Sequence, residues 1–341
     1  MNADFFKAID ELGKQKGIPT DIIIDRVEQA LTKAYKHEKE GDCEIRIILD
    51  PDKKVFRMVE LKEIVDEVTD PDKQISLVDA KRITRSAKVG NICEIEVPLQ
   101  KFSRISAQTA KQVIIQGIRE AERGMLIEQY ENKKEEIITA TVYKTMTANG
   151  AVIVDTGTSR VALLPEEQIP GEVYHEGDRI KVYVIEVRRE TRGPLVTLSR
   201  THAGLVKRLF ELEVPEIQDG TVEIKNIIRE AGSRTKMAVA SNDPNVDPIG
   251  ACIGNHGIRI GDITREINGE KIDIVKYSED PAEYISSALA PATVRDVIIE
   301  DDRSARVLVD PEQLSLAIGK EGQNARLAAR LTGYKIDIKA Q

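Results

Sequence analysis

The sequence predicts a multidomain α+β protein, with a small β-barrel between an N-terminal α+β domain and two copies of one α/β module. Three patterns carry this prediction: helical periodicity ending in one long helix, a run of short strands, and a loop motif that occurs twice. The 341 residues allow two to four domains, and 41% apolar residues are sufficient for packed cores. We place the domains at 1–134, 135–200, 201–278 and 279–341.

The N-terminal domain is predicted from apolar residues at helical spacing and from one alternating hairpin pattern. Helices are predicted at 6–12, at 23–34 and, after a cap at Ser103, at 110–125, with hairpin strands at 43–50 and 54–61. The face of the long helix opposite its apolar stripe carries Arg104, Lys111, Arg119 and Arg123. A charged helix face is by default exposed to solvent.

The barrel is predicted from five short apolar segments that are separated by turn residues such as Asn149-Gly150 and Gly177-Asp178. The strands are predicted at 137–143, 151–155, 160–164, 179–188 and 195–198. Five short strands in so few residues are typical of a small closed barrel of the OB type.

The duplicated module is marked by two loops of the form Ile-Gly-x-x-Gly, Ile253-Gly254-Asn255-His256-Gly257 and Ile318-Gly319-Lys320-Glu321-Gly322. Each loop follows an Asp-Pro pair, Asp247-Pro248 or Asp310-Pro311. Each is followed by Lys-Ile-Asp-Ile, at 271–274 or at 335–338. The same punctuation in the same order indicates a duplicated unit.

Each loop is predicted to join two helices, the second of which begins at the last glycine. Unpaired amides at a helix start favour an anion, and glycine has no Cβ to keep a phosphate away. The candidate nucleic-acid contacts are Gly254, Asn255, His256, Gly257, Arg259, Gly319, Lys320, Glu321, Gly322 and Arg326. The alternative is that each loop is only a tight helix–helix turn. Two copies of the loop in the same helix–strand context make this alternative less favoured. We expect both turns to be exposed, so that aspartate at Gly254 or Gly319 would abolish RNA binding and keep the fold.

The duplicated module resembles the KH domain, whose loop of this form binds a few nucleotides of single-stranded RNA. The predicted order in each copy is helix, two strands, two helices around the loop, and a strand. That order matches the prokaryotic type of KH domain.

The predicted barrel resembles the S-one type of RNA-binding barrel, which is repeated in the largest small-subunit ribosomal protein. The resemblance rests on Gly150, on Leu163-Leu164-Pro165-Glu166-Glu167, on Gly177-Asp178 and on Val196-Thr197-Leu198-Ser199-Arg200. Asn149 and Val152 stand where such barrels commonly carry base-stacking aromatics, and Pro165 stands where a histidine is common. Tyr143, Tyr174 and Tyr183 are the tyrosines of this block. The barrel is therefore expected to contact RNA weakly, or to contact protein instead.

The composition limits the function classes. The net charge is −8 and none of the four predicted domains is net basic, so RNA contacts must be local and of modest affinity. No apolar run reaches the length of a membrane span and no signal peptide opens the chain. Cys43, Cys93 and Cys252 lie far apart and are expected to be buried in a reducing cytosol. We expect no metal and no cofactor.

The whole chain resembles the NusA family of bacterial transcription elongation and termination factors. The resemblance rests on the domain order, on the segments 102–112 and 119–123, on Gly269-Glu270-Lys271-Ile272-Asp273-Ile274 and on the segment 288–292. It implies a cytoplasmic monomer whose first domain binds RNA polymerase, with Arg104, Lys111, Arg119 and Arg123 as candidate contacts. The barrel and the KH modules would receive nascent single-stranded RNA. Such a factor modulates pausing, intrinsic termination and, with other elongation and antitermination factors, antitermination.

Two other classes of protein compete with this interpretation. An enzyme is suggested only by Asp155-Thr156-Gly157, the tripeptide of aspartic proteases, but their catalysis needs a second carboxylate that no second copy supplies. The tripeptide stands where a barrel strand must turn. Phosphate-dependent exoribonucleases also contain KH and barrel modules, but in the opposite order and after large catalytic domains. The sequence therefore predicts a non-enzyme. The remaining alternative is an RNA-binding or mRNA-regulatory protein that works without polymerase.

Overall fold

The computed structural model describes residues 6–7, 9–11, 13–14, 17–38, 44–97, 107–146, 148–189, 195–300 and 303–341; the side chains of 33–38 and 107–114 lie outside this description. The chain divides into two compact units, 1–128 and 129–341, which are described separately. Leu12, Cys43, Ser103 and Arg104, which the sequence analysis singled out, lie outside the described residues.

The first unit is an α+β domain around a four-stranded sheet. Its elements are α1 (Thr20–Glu38), β1 (Glu44–Asp50), β2 (Val55–Val65), β3 (Gln74–Ser76), α2 (Leu77–Ile83), β4 (Ile92–Glu96) and α3 (Ala107–Glu131), whose last residues belong to the second unit. Strand β2 is central, with β1 and β4 antiparallel to it and β3 parallel. The predicted hairpin is confirmed, since Asp50 pairs with Val55.

The core of the first unit lies between the helices and β1–β2. Helix α1 contributes Ile23, Val27 and Leu31, and α3 contributes Ala121. Gly117 of α3 lies so close to α1 that a Cβ there would approach the Arg26 carbonyl oxygen at 3.2 Å. A larger residue at this position would therefore push the two helices apart.

The second unit begins with the predicted barrel. Its strands are β5 (Ile137–Thr145), β6 (Val152–Asp155), β7 (Arg160–Leu163), β8 (Arg179–Val187) and β9 (Val196–Ser199), paired antiparallel in the order β7-β6-β5-β8-β9. The sheet curls until its end strands β7 and β9 lie close together. Alternation places Val152, Val154 and Val182 inside and threonines of β5 outside. The five-stranded OB prediction is confirmed.

Two modules of one topology follow. The first has α4 (Ala203–Glu213), α5 (Pro215–Gln218), β10 (Val222–Glu230), β11 (Arg234–Ser241), α6 (Pro248–Ile253), α7 (Ile258–Glu266) and β12 (Lys271–Lys276). The second has α8 (Pro281–Ala288), β13 (Asp296–Glu300), β14 (Ser304–Val309), α9 (Pro311–Ile318), α10 (Gln323–Thr332) and β15 (Lys335–Ala340). Each sheet has an antiparallel first pair and a parallel second pair. This is the order that the sequence predicted.

Each module packs its helices on one face of its three-stranded sheet. In the first module Met237 and Val239 face these helices, while Ala238 points to the back of the sheet. The back face is covered by the second module, because Ala238 and Val275 share a buried cluster with Tyr284, Ile285 and other second-module residues. The two modules therefore share a hydrophobic interface.

Candidate nucleic-acid interface

The two Gly-x-x-Gly loops have nearly identical backbones. Gly254 has φ 75° and ψ 174°, and Gly319 has φ 76° and ψ 172°. The third residue of each loop, His256 or Glu321, is left-handed with φ 51° or 52°. The last glycine is left-handed and caps the following helix, α7 or α10. The sequence repeat is thus a repeat of backbone geometry.

The middle residues of both loops face solvent. Asn255, His256, Lys320 and Glu321 are exposed, and a Cβ at Gly257 would meet no atom within 4 Å. Within the part of the chain that the structure describes, no side chain caps the first amides of α7 or α10. Each helix start can therefore accept an anion from outside the protein.

The first glycine of each loop is packed, which corrects the expectation that aspartate there would keep the fold. A Cβ at Gly254 would lie 2.6 Å from Cγ of Arg259. At Gly319 it would lie 2.8 Å from Cβ and 2.9 Å from the backbone nitrogen of Asn324. Both glycines also have a positive φ that side chains disfavour. A test of RNA binding should therefore change the two middle residues instead.

Arg259 and Asn324 occupy the same position, five residues after the first glycine. The Arg259 guanidinium donates to the Ala251 carbonyl oxygen at 2.6 Å and pairs with Glu216 at 2.9 Å. The Asn324 amide donates to the carbonyl oxygens of Leu289 and Ala317 at 2.9 and 3.1 Å. Both side chains satisfy carbonyls near the end of the helix before the loop. The sequence did not reveal this role, because it depends on the fold of the loop.

Arg326, the predicted contact after the second loop, is held by the protein on two sides. Its guanidinium donates to the Glu321 carbonyl oxygen at 3.1 Å and to Glu230 of the first module at 3.2 Å. The Gln323 amide donates to Glu230 and to Ser233, at 2.7 Å each. The hydrogen bond from Gln323, and then the one from Arg326, lowers the pKa of Glu230. The second loop therefore lies against the β10–β11 turn of the first module.

A buried lysine joins the two modules on the back of the first sheet. The ammonium of Lys236 is fully buried and donates to Asp273 at 2.9 Å and to the Ala290 carbonyl oxygen at 2.8 Å. Burial lowers the pKa of Lys236, although Asp273 opposes this effect. The Asn226 amide donates to the Leu331 carbonyl oxygen across the same interface. These contacts fix the two loops relative to each other.

A second buried charge cluster joins the barrel to the first module. The guanidinium of Arg200 is 1% exposed and donates to both carboxylate oxygens of Glu172 and to the Glu266 backbone. Arg229 pairs with Glu270, which is fully buried and also accepts from Thr235. The segment 269–274, which carried part of the family resemblance, supplies Glu270 and Asp273. Sequence reasoning missed both junctions, since the partners are 28 to 105 residues apart.

The barrel positions named from the sequence present no ring on which a base could stack. Val152 is buried, and the Asn149 side chain accepts a hydrogen bond from the Ala151 amide. Tyr183 stacks on His202 at 4.8 Å between ring centroids, at the junction with the first module. Tyr174 donates to Glu172. Tyr143 is the tyrosine of this block that stays exposed on the barrel surface.

Other sequence candidates are placed as follows. Arg119 is exposed on α3 and Arg123 is half-buried, while the side chain of Lys111 lies outside the description. Asp155-Thr156-Gly157 forms the β6–β7 turn, where the Asp155 carboxylate accepts from the Gly157 amide. Cys93 and Cys252 are buried, as predicted, and burial raises the pKa of Cys252 to about 12.

Among the described residues, no cluster of His, Cys, Asp and Glu could hold a metal ion. No described helix has both the length and the apolar character needed to cross a membrane.

The fold and the loops define an RNA-binding protein built from an OB barrel and tandem KH domains. Comparison with family models gives the same result: the NusA N-terminal domain matches residues 4–124 and the S1 RNA binding domain 131–199. The NusA-like first and second KH domains match 200–277 and 281–341.

Curated relatives extend this comparison to the whole chain. Proteins named transcription termination/antitermination protein NusA from Halalkalibacterium halodurans and Bacillus subtilis are each 47% identical over 342 residues. These matches span 100% of this chain and 89% and 92% of the relatives. The protein of that name from Thermus thermophilus is 40% identical over 350 residues, covering 99% of this chain and 90% of its own length. The chain belongs to the NusA family.

Proposed function

We propose that this chain is a bacterial transcription elongation factor that binds RNA polymerase and the nascent transcript together. The observation that carries the proposal is the pair of exposed loops, each at an uncapped helix start and fixed to each other by a buried interface. Binding of single-stranded RNA at these loops, beside a polymerase-bound first domain, would change pausing, intrinsic termination and antitermination. The family relationship supports this function.

The charge distribution supports a mechanism based on multivalency. With a net charge of −8, the chain offers RNA only local cations such as Lys320. A weak RNA contact becomes effective when the RNA and the protein are held on one polymerase, because the second binding event is then intramolecular. We propose that Arg104, Lys111, Arg119 and Arg123 contribute to the polymerase contact.

The proposal includes the remaining expectations from the sequence. We propose domains at 1–134, 135–200, 201–278 and 279–341, and a monomer that acts in the cytoplasm together with other elongation and antitermination factors. We propose no catalytic activity and no cofactor. The turn geometry of Asp155-Thr156-Gly157 supports a structural role for the tripeptide that suggested an enzyme.

The test is a single-round transcription assay with bacterial RNA polymerase on a template that carries a hairpin pause. The intact chain is compared with the triple variant Asn255→Asp, His256→Asp, Lys320→Asp. These exposed positions accept aspartate, and His256 already has the left-handed backbone that aspartate tolerates. Asn268→Asp is the matched control, because Asn268 is exposed and left-handed (φ 59°) but lies outside the loops.

We expect a longer pause with the intact chain and with the Asn268→Asp control, and a weaker effect with the triple variant. An unchanged pause lifetime with the intact chain, alongside measurable RNA binding, would contradict the proposal. That result would place the chain with RNA-binding proteins that work without polymerase. Equal pausing by the intact chain and the triple variant would show that the loops do not contact RNA in the complex.

A further inference from the structure

The outer face of the barrel carries a groove at the end of β5–β6 that lies away from the Asn149 turn. Its volume is about 440 Å³, and it is lined chiefly by Thr139, Thr141, Tyr143, Asp155, Thr156 and Arg179. On β5 the threonines and Tyr143 alternate with the buried Ala140 and Val142, so they share the outer face. Thr141 pairs with both Asp155 and Arg179 across the neighbouring strands.

One wall of the groove is the side chain of Tyr143, whose ring stacks with Arg160 beside the groove. The guanidinium carbon of Arg160 lies 3.6 Å from the ring centroid of Tyr143, which is the distance of direct contact between a guanidinium and a ring. Both side chains are about half exposed, and Asp155 Oδ2 lies 3.6 Å from Nε of Arg160. The ring and the carboxylate hold the guanidinium on the open surface of the barrel.

The opposite rim is held by hydrogen bonds. Thr156 Oγ1 lies 2.5 Å from the hydroxyl of the buried Tyr130 and donates to the Ser159 carbonyl oxygen. The Tyr130 hydroxyl also contacts Ser159 Oγ. The β6–β7 turn is thus fixed to the end of α3, so the groove exists before any ligand binds.

These groups match the chemistry of one unstacked nucleotide. Bases splayed out of single-stranded RNA stack on aromatic rings or on guanidinium planes, and hydroxyls and carboxylates read their edges. Arg160 on Tyr143 supplies the platform, Arg179 supplies a cation, and Asp155 can accept from a base amino group. We propose that this groove binds one nucleotide of single-stranded RNA, in place of the stacking that Asn149 and Val152 do not provide. The proposal rests on the RNA-binding role proposed above, but it does not depend on polymerase.

The test measures binding of a short single-stranded RNA that contains 2-aminopurine, in the full chain with the Asn255→Asp, His256→Asp, Lys320→Asp changes as background. This background reduces binding at the KH loops, so that the barrel supplies most of the remaining affinity. Arg160→Lys keeps the charge and removes the planar surface, while Tyr143→Ala removes the ring beneath it. Arg189→Lys is the control, because Arg189 is an exposed barrel arginine that pairs with Glu131 outside the groove.

We expect Arg160→Lys and Tyr143→Ala each to weaken RNA binding about tenfold and to reduce the change in 2-aminopurine fluorescence. The salt dependence of RNA affinity should be unchanged in Arg160→Lys, because that variant keeps the positive charge. Arg189→Lys should bind as the background does. Thermal unfolding checks that the variants fold, and Arg160→Lys decides the question if Tyr143→Ala does not fold. Unchanged affinity and fluorescence in Arg160→Lys would overturn the proposal and favour a protein partner for this face. Loss of pausing with this binding intact would overturn the polymerase role alone.

Discussion

The two KH modules share one loop backbone but surround it with different charges. In the first module the loop exposes Asn255 and His256, and the nearby Arg259 is paired with Glu216. In the second module the loop exposes Lys320 and Glu321, and the nearby Arg326 is paired with Glu230 from the first module. A repeated motif therefore predicts the position of the uncapped amides at the two helix starts. The cations available to RNA are decided by carboxylates that lie elsewhere in the sequence.

The two glycines within each loop also have different surroundings. The first glycine is confined by the side chain that supports the loop, whereas the last glycine faces open space, with an added Cβ at Gly322 meeting only the end of Arg326 at 4.0 Å. The first glycine is thus required for packing. The last one is favoured for its left-handed backbone, and it leaves the space beside the loop open.

The largest expected effect is on stability. We expect Gly319→Ala to lower the free energy of unfolding by about 3 kcal/mol, because the added methyl group overlaps Asn324 and the backbone is strained. Gly322→Ala should cost only about 1 kcal/mol, from the left-handed backbone alone. Urea unfolding of the two variants, followed by circular dichroism, measures the difference. Equal destabilisation would show that the loop relaxes around the first glycine.

The next effect distinguishes the charges of the two loops. Lys320→Ala should weaken binding of a single-stranded RNA about fivefold and reduce the slope of log affinity against log salt by about one, because one phosphate contact is lost. Asn255→Ala is the matched change in the first loop and should leave the slope unchanged, since it removes no charge. Fluorescence anisotropy titrations at several salt concentrations provide the measurement. An unchanged slope for Lys320→Ala would place the RNA phosphates away from the second loop.

The smallest expected effect concerns the carboxylate that crosses between the modules. Glu230→Gln keeps a hydrogen-bond acceptor near Gln323 but removes the charge that holds Arg326, so RNA affinity should rise about two- to threefold. Glu216→Gln tests the same idea beside the first loop. Arg259 also donates to the Ala251 carbonyl oxygen near the end of α6, so RNA affinity should rise less in this variant. Weaker RNA binding by Glu230→Gln would show that its main role is to hold the modules together.

The sequence predicted those parts of the fold that local patterns encode. The second module has the predicted order of helix, two strands, two helices around the loop and a strand. The five barrel strands were predicted equally well, because alternation and glycine turns mark each of them. Strands β3 and β4 and helix α2 were not predicted. Their apolar pattern is weak, and Val78 and Ile92 are exposed.

The candidate site was predicted only in part, for a physical reason. The loops follow from short-range punctuation, but the carboxylate partners of Arg259 and Arg326 are 43 and 96 residues away. Asn324 was not singled out, since a buried asparagine that satisfies carbonyls looks in sequence like any polar helix residue. The buried pairs Arg200–Glu172 and Arg229–Glu270 were missed for the same reason. Tyr143 was noticed, but its pairing with Arg160 depends on the register of three strands.

The buried charged side chains at the two junctions set the spacing between the barrel groove and the two loops. Arg200 of the barrel donates to the Glu266 carbonyl oxygen of the first module, and Arg229 donates back to the Arg200 carbonyl oxygen. Lys236 of the first module donates to the Ala290 carbonyl oxygen of the second. Separating either junction would break these hydrogen bonds and expose the apolar side chains that pack beside them. The barrel groove and the two loops therefore stay at constant spacing. If RNA binds at all three sites as proposed, its unpaired stretch must be long enough to span them, and binding would then depend on the length of single-stranded RNA.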